Sequence, residues 1–231
     1  MKYVFWIIFL MPMIVLSQTE LDKASALFAQ GKLDDSQKIF ESYLKQDANN
    51  IKALEGLGDI YGNQKQWDKA LTYYEKIKNI KPKEANYHYK YGGVLGMIAK
   101  ESNKFKALGM IGEIKRSFEK AIELDPKHID ARWALLELYI QLPGIVGGSE
   151  KKANRYALEL LKLSPVDGYL SKGRIEEHFN RYKEAENQYK KAIEVSGSKT
   201  AYQKLADLYK NKMNQPEKAK QILGRYNEKN K

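Results

Sequence analysis

The sequence of 231 residues contains no cysteine. Disulfide frameworks, thiol nucleophiles, iron–sulfur clusters and cysteine-ligated zinc are thereby excluded. Histidine is nearly as scarce. His88, His128 and His178 lie far apart and none has a second ligand at the i, i+4 spacing of a helical metal site, so no metal or cofactor is expected. Arginine is confined to Arg116, Arg132, Arg155, Arg174, Arg181 and Arg225. That scarcity matters because the chain is basic overall, with 40 Lys+Arg against 29 Asp+Glu and a net charge of +11. Arginine is the side chain that forks onto phosphates and guanines, whereas lysine interspersed with glutamate is a solvated helix face. No nucleic acid is expected as a partner, and the lysine-rich stretch over 200–231 reads as a surface for solubility and for docking on acidic partners. With 30% charged and 43% hydrophobic residues, the composition is that of a folded soluble protein.

A long apolar run occurs once. Residues 1–17, MKYVFWIIFLMPMIVLS, place one Lys ahead of an uncharged stretch from Val4 to Leu16, with Val15 and Ser17 at the −3 and −1 positions of a cleavage site. This is the pattern of a secretory signal peptide, and the run is too short and too interrupted by Pro12 for a spanning helix. The mature chain is expected to start at Gln18, to carry +10 after loss of one Lys, and to have no stable membrane span. The expected address is the periplasm or the extracellular space, where an absence of free thiols fits an oxidising environment.

The remainder repeats. Ala70, Tyr74, Ile77 and Pro82 stand at spacings that recur at Ile114, Phe118, Ala121 and Pro126, at Ala153, Ala157, Leu160 and Pro165, and at Ala185, Tyr189, Ala192 and Gly197. Upstream of these sets lie Leu54-x-x-Leu57-Gly58-x-x-Tyr61, Tyr91-Gly92-x-x-Leu95, Leu135-Leu136-x-x-Tyr139 and Leu205-Ala206-x-x-Tyr209. Each pair of blocks predicts a helix A, a short turn and a helix B. The segment from Ile51 to Glu84 is the most regular, with Gly58 and Ala70 small enough for close helix approach and Pro82 ending helix B.

In these residues the chain resembles the tetratricopeptide repeat (TPR) family. The resemblance implies an all-α, right-handed superhelical solenoid of about six units, near 18–50, 51–84, 85–128, 129–165, 166–198 and 199–231. It also implies a concave surface built mainly by A helices. The Lys and Asn clamp with which some family members hold acidic C-terminal tails is absent, because Leu21, Ser25, Lys52, Glu55, Gly56, Asp59, Asn86 and Lys90 occupy the corresponding places.

Two segments depart from the period. Lys100–Gly112, KESNKFKALGMIG, enlarges the third unit and is expected either to extend both of its helices or to bear on binding, including by folding back into the groove. Leu142–Lys152 adds Pro143, Gly144, Gly147 and Gly148 ahead of Ser149, a candidate cap for the following helix. The loop is similar to a Pro-Gly-x-x-Gly-Gly loop of some exported bacterial TPR proteins. Gly144, Gly147, Gly148 and Ser149 are candidates for a partner contact; anion binding is the lesser reading, because the phosphate-loop spacing is missing. No catalytic residue is nominated, and Ser149-x-x-Lys152 lacks the companion motifs of a serine–lysine nucleophile.

The resemblance points the candidate site to the inner surface: Glu55, Asp59, Asn63, Tyr89, Lys90, Gly93, Gly96, Trp133, Glu137, Gln141, Arg174, Glu177 and His178. Gly56, Gly62, Gly93 and Gly96 are conspicuous there, since a mid-helix glycine costs roughly 0.5–1 kcal/mol relative to alanine. Either they floor an open groove for an extended peptide or partner helix, or they permit tight packing. The function expected is a non-enzymatic protein-interaction scaffold of the bacterial envelope. A carbohydrate or cell-wall-binding module and an accessory subunit of an envelope enzyme are the alternatives. Self-association through Ile222, Leu223 and Tyr226 at the last helix is a further expectation.

Overall fold

The computed structural model describes residues 20–229, so the proposed signal peptide at 1–17 lies outside the described residues. Within 20–229 the chain is all-α and no residue is in a strand. Its helices are α1 (20–29), α2 (Leu33–Gln46), α3 (Ile51–Asn63), α4 (Trp67–Ile80), α5 (Ala85–Glu101), α6 (Lys104–Leu124), α7 (Ile129–Gln141), α8 (Glu150–Leu163), α9 (Pro165–His178), α10 (Tyr182–Ser196), α11 (Lys199–Asn211) and α12 (Pro216–Lys229). Odd-numbered helices are the A helices of the repeat and even-numbered ones the B helices. Two compact units divide the chain, one up to Ser117 and one from Phe118, with α6 beginning in the first and ending in the second.

The A-to-B reversal is made the same way four times. Gly31, Lys65, Asn180 and Asn214 all take positive φ, at 76°, 58°, 61° and 54°, and each lies two residues before the first residue of a B helix. In this left-handed turn the next amide reaches back to the A helix, as in Gln66 N to Tyr61 O (2.8 Å) and Arg181 N to Glu176 O (2.8 Å). Helices α2, α4 and α10 accordingly begin without a side-chain cap. The A helices α3, α7, α9 and α11 use side-chain caps, from Asn50, His128, Ser164 and Ser198; only α11 also follows a left-handed residue, Gly197 at φ 58°, and there the next amide, Ser198 N, donates to Ser196 Oγ.

Both sequence departures fall where this turn is replaced. Lys100–Gly112 lengthens the hairpin itself: α5 runs 17 residues and α6 21, with Asn103 Oδ1 accepting from Lys106 N at the start of α6. The other departure is a tight loop. Val146 N and Gly148 N both donate to Pro143 O at 3.0 Å, Ser149 N donates to Tyr139 O at 2.9 Å, and Gly147 sits at φ 102°. A Cβ on Gly148 would lie 1.7 Å from Leu142 O, so only glycine fits that position.

Each unit has its own core. In the first, Phe40, Leu54, Leu57, Ile60 and Ile77 are buried, and Gly58 lies beneath Tyr74, whose Cζ is 2.9 Å from where a Cβ would sit. In the second, Leu170, Ala185, Tyr189, Leu205, Leu208 and Tyr209 form a buried cluster. Ile222 and Leu223 pack against that cluster and Tyr226 tilts onto Tyr202 at 5.3 Å. The expected apolar patch at the last helix is therefore half-buried, because α12 turns those residues toward α11.

Candidate protein-binding cleft on the A-helix face

The sharpest arrangement of polar groups in the first unit joins α3 to α5. Lys90 Nζ donates to Glu55 Oε1 at 2.8 Å and to both oxygens of Asp59, at 2.8 and 3.0 Å. Tyr74 donates its hydroxyl to Asp59, and Tyr87 donates to Glu55 Oε2 at 3.3 Å. These side chains meet because Glu55 and Asp59 are one helical turn apart on α3 and Lys90 faces them from α5. Burial pulls the Lys90 ammonium toward its neutral form, but the hydrogen bonds and charges of Asp59 and Glu55 outweigh it and hold its pKa above the usual lysine value. Burial, with the Asp59 carboxylate, pushes the Tyr74 phenol well up, and burial with Glu55 pushes Tyr87 up to about 12. Two carboxylates thus face one ammonium, leaving one formal negative charge uncompensated in the cluster.

Beside this cluster lies a cleft of about 350 Å³ lined by Asp59, Gly62, Trp67, Tyr74, Tyr89, Lys90, Gly93, Val94 and Met97. Its floor is bare. A Cβ placed on Gly62 or Gly93, or on Gly96 one turn further along α5, meets no atom within 4 Å beyond the local helix backbone. The α5–α6 extension therefore does not fold onto these glycines, and the groove is open here. Gly56 is different: a Cβ there would lie 2.3 Å from Phe40 Cε2, so it is a packing glycine and not part of the floor. Asn63 is exposed near the end of α3.

The second unit brings together Trp133, Glu137, Arg174 and Tyr189 around a cavity of about 350 Å³ that also includes Asp167, Leu170, Thr200 and Lys204. Arg174 donates to both oxygens of Glu137, from Nε at 2.8 Å and Nη2 at 3.0 Å, and Trp133 donates its indole N–H to Asp167 at 2.9 Å. Tyr189 donates to Glu177 Oε2 at 2.8 Å; burial, then the Glu177 charge, pushes its phenol up. Gln141 donates to Glu137, and His178 stacks edge-on against Phe179. On the same helices Ile140 and Ser171 are buried, Ser171 donating to Gly168 O. In the 142–149 loop, Ser149 caps α8 by accepting from Lys152 N, and Ile145 stands 95% exposed between Gly144 and Gly147.

Sequence reasoning missed Trp67 and Tyr87, which lie outside the groove positions of the repeat. Thr200 and Lys204, on the A helix of the last unit, were likewise not among the groove candidates. Among the described residues, no group of His, Asp or Glu could hold a metal ion, and no helix is long and apolar enough to cross a membrane.

Paired helices repeating with left-handed turns, capped A helices and glycines beneath aromatic rings define a helical repeat protein of the solenoid class. Tetratricopeptide repeat models match residues 27–91, 166–198 and 200–230, more than half of the sequence, and the chain belongs to the tetratricopeptide repeat family. It is 24% identical over 166 residues to protein O-mannosyl-transferase TMTC3 of Mus musculus, a match covering 68% of this chain but only 17% of that protein's length. PilW, described as a widely conserved type IV pilus biogenesis factor, superposes with a TM-score of 0.67 at 18% identity, over 91% of each chain. YrrB, described as a TPR protein with an unusual peptide-binding site, superposes with a TM-score of 0.53 at 17% identity, over 79% of this chain and 87% of its own. At such identities the likeness is one of fold.

Proposed function

We propose that this protein is a non-enzymatic scaffold that holds a polypeptide segment of another protein on the A-helix face of its first unit. The observation that carries this reading is the open floor of Gly62 and Gly93 within an aromatic-walled cleft, continued one turn along α5 by Gly96, which also has open space above it. Each of these glycines gives up helix stability, and no neighbouring side chain uses the space that is freed. A bare floor lets a second backbone approach closely, while the half-buried Trp67 and Tyr89 supply large rigid surfaces of the kind that dominates binding energy, and the buried Tyr74 backs the wall. The peptide-binding site described for YrrB agrees with such a use of the repeat. The match to the O-mannosyl-transferases covers only 15–17% of their length, so their activity is not carried over.

The test is photo-crosslinking in intact cells from p-benzoyl-phenylalanine placed at Met97. One crosslinked polypeptide is expected, and it should vanish in Gly93→Leu with Gly96→Leu while far-UV circular dichroism and Tm stay near wild type. Adducts that persist in the double variant, or retention on insoluble wall material without any protein adduct, would sink the proposal; the latter result would favour the carbohydrate-binding alternative.

The proposed setting is the cell envelope, on the strength of residues 1–17 and the absence of cysteine. N-terminal sequencing of the protein from an envelope fraction should begin at Gln18. Recovery of full-length chain starting at Met1 from the cytosol would refute export.

A further inference from the structure

We propose that the segment bound in the first-unit cleft is an extended chain carrying a basic side chain, whose cationic head sits against Glu55 and Asp59. The inference rests on the scaffold reading above and names the chemistry of its partner.

The cleft is lined mostly by apolar groups, Trp67, Tyr74, Tyr89, Val94 and Met97 with Gly62 and Gly93, and Asp59 and Lys90 are its charged members. Asp59 also lines a smaller cavity of about 190 Å³, together with Glu55, Phe28, Phe40 and Lys52 among others, so its carboxylate is shared between adjoining spaces. Lys52, the other cation there, pairs with Asp22 and brings no excess positive charge. Glu55 and Asp59 remain about a third exposed, at 30% and 34%, so a ligand can reach them. A carboxylate offers about four lone-pair sites. Glu55 uses two of them, on Lys90 and Tyr87, and Asp59 three, on Tyr74 and Lys90, so acceptor capacity and negative charge are both left over. The raised pKa of Tyr74 and Tyr87 reports the same field, burial being the larger cause in each and the carboxylates the next. A lysine or arginine head supplies both the missing charge and the missing donors, in charge-assisted bonds roughly twice as strong as neutral ones. The second unit differs: Arg174 takes both oxygens of Glu137 in a fork, and that pair is neutral as it stands.

The net charge of the molecule makes the test discriminating. A chain of +11 attracts acidic peptides non-specifically and repels basic ones, so a preference for basic peptides must come from a local site. The probe is a set of N-acetylated random decapeptide libraries, each with one fixed central residue, Lys, Arg, Glu or Ala, and retention is measured on the immobilised full chain. The Lys and Arg libraries should be retained roughly tenfold more than the Glu library, a difference of about one charged hydrogen bond. Glu55→Gln, which leaves the Asp59–Lys90 pair in place, should erase most of that preference. Lys90→Met, which removes the internal competitor, should increase it. Gly93→Leu with Gly96→Leu should abolish retention of every library. Equal retention of the Lys, Arg and Glu libraries by wild type, lost in the floor variant, would overturn this inference and leave the scaffold reading intact. Retention unaffected by the floor variant, or no retention at all, would overturn both.

Discussion

Glycine has two opposite meanings in this chain, and substitution by alanine separates them. At Gly173 a Cβ would lie 2.3 Å from Tyr189 Cε1, and at Gly56 it would strike Phe40. Gly173→Ala is expected to destabilise by about 1–3 kcal/mol, because overpacking of a closed interface outweighs the gain in helix propensity. At Gly93 nothing is met, so Gly93→Ala should stabilise by about 0.5–1 kcal/mol through the unfolded chain alone. Urea unfolding of the two variants checks the contrast, and a shift of both in one direction would contradict it. The four conspicuous glycines were legible in the sequence as a set, but their division was not. Phe40 belongs to the preceding B helix, and which floor glycine it covers depends on how α2 lies on α3. The Glu55–Asp59–Lys90 cluster was similarly half legible. Each residue is at a groove position, yet partners separated by 31 and 35 positions meet only once the A helices are stacked.

At the scale of the element, the division of labour between turns and caps predicts where helix starts are sensitive. Ser149 caps α8 after a loop whose left-handed residue, Gly147, stands three positions before the helix and not two, so Ser149→Ala should cost about 1 kcal/mol. Gln66 precedes α4 with no side-chain bond to the helix, and Gln66→Ala should stay within about 0.5 kcal/mol of wild type. Thermal or denaturant unfolding that gave equal losses would argue against this account. Helix existence and pairing were readable from spacing, since Ala70, Tyr74 and Ile77 are all buried on α4 as the pattern requires. The turn chemistry was less so. Gly31 and Asn180 are ordinary left-handed residues, but Lys65 takes the same conformation against its preference, held there by Gln66 N to Tyr61 O. The enlarged third unit was legible as an insertion, while its outcome as two longer helices depended on Asn103 starting α6.

For the whole molecule, the tyrosines give stability an alkaline limit. Tyr74, Tyr87, Tyr91 and Tyr189 all ionise above the ordinary tyrosine value of 10.0, burial being the largest cause in each and a carboxylate neighbour the next in most. Above pH 10 the unfolded chain releases phenolic protons that the folded chain retains, so the folded state binds more protons. Stability from these groups is complete below about pH 10 and declines as pH rises toward the folded-state values, of which Tyr87 at about 12 is the lowest of the four. The urea midpoint should therefore fall between about pH 9.5 and about pH 11, in step with tyrosinate absorbance, and Tyr87→Phe should shallow the fall. A midpoint flat over that range would contradict the burial of these hydroxyls.

The bare floor has a consequence for motion. Gly93 and Gly96 sit mid-way along α5 with no side chain of their own to shield the backbone and no neighbour above them. The opposite side of that stretch is packed through Tyr91, Val94, Leu95 and Ile98, so within α5 the amides on the bare side, at Gly93 and Gly96, should exchange with deuterated solvent faster than those on the packed side. The slow step for an amide beneath a bound chain becomes departure of that chain. Exchange at residues 90–97 is thus a built-in, label-free gauge of occupancy.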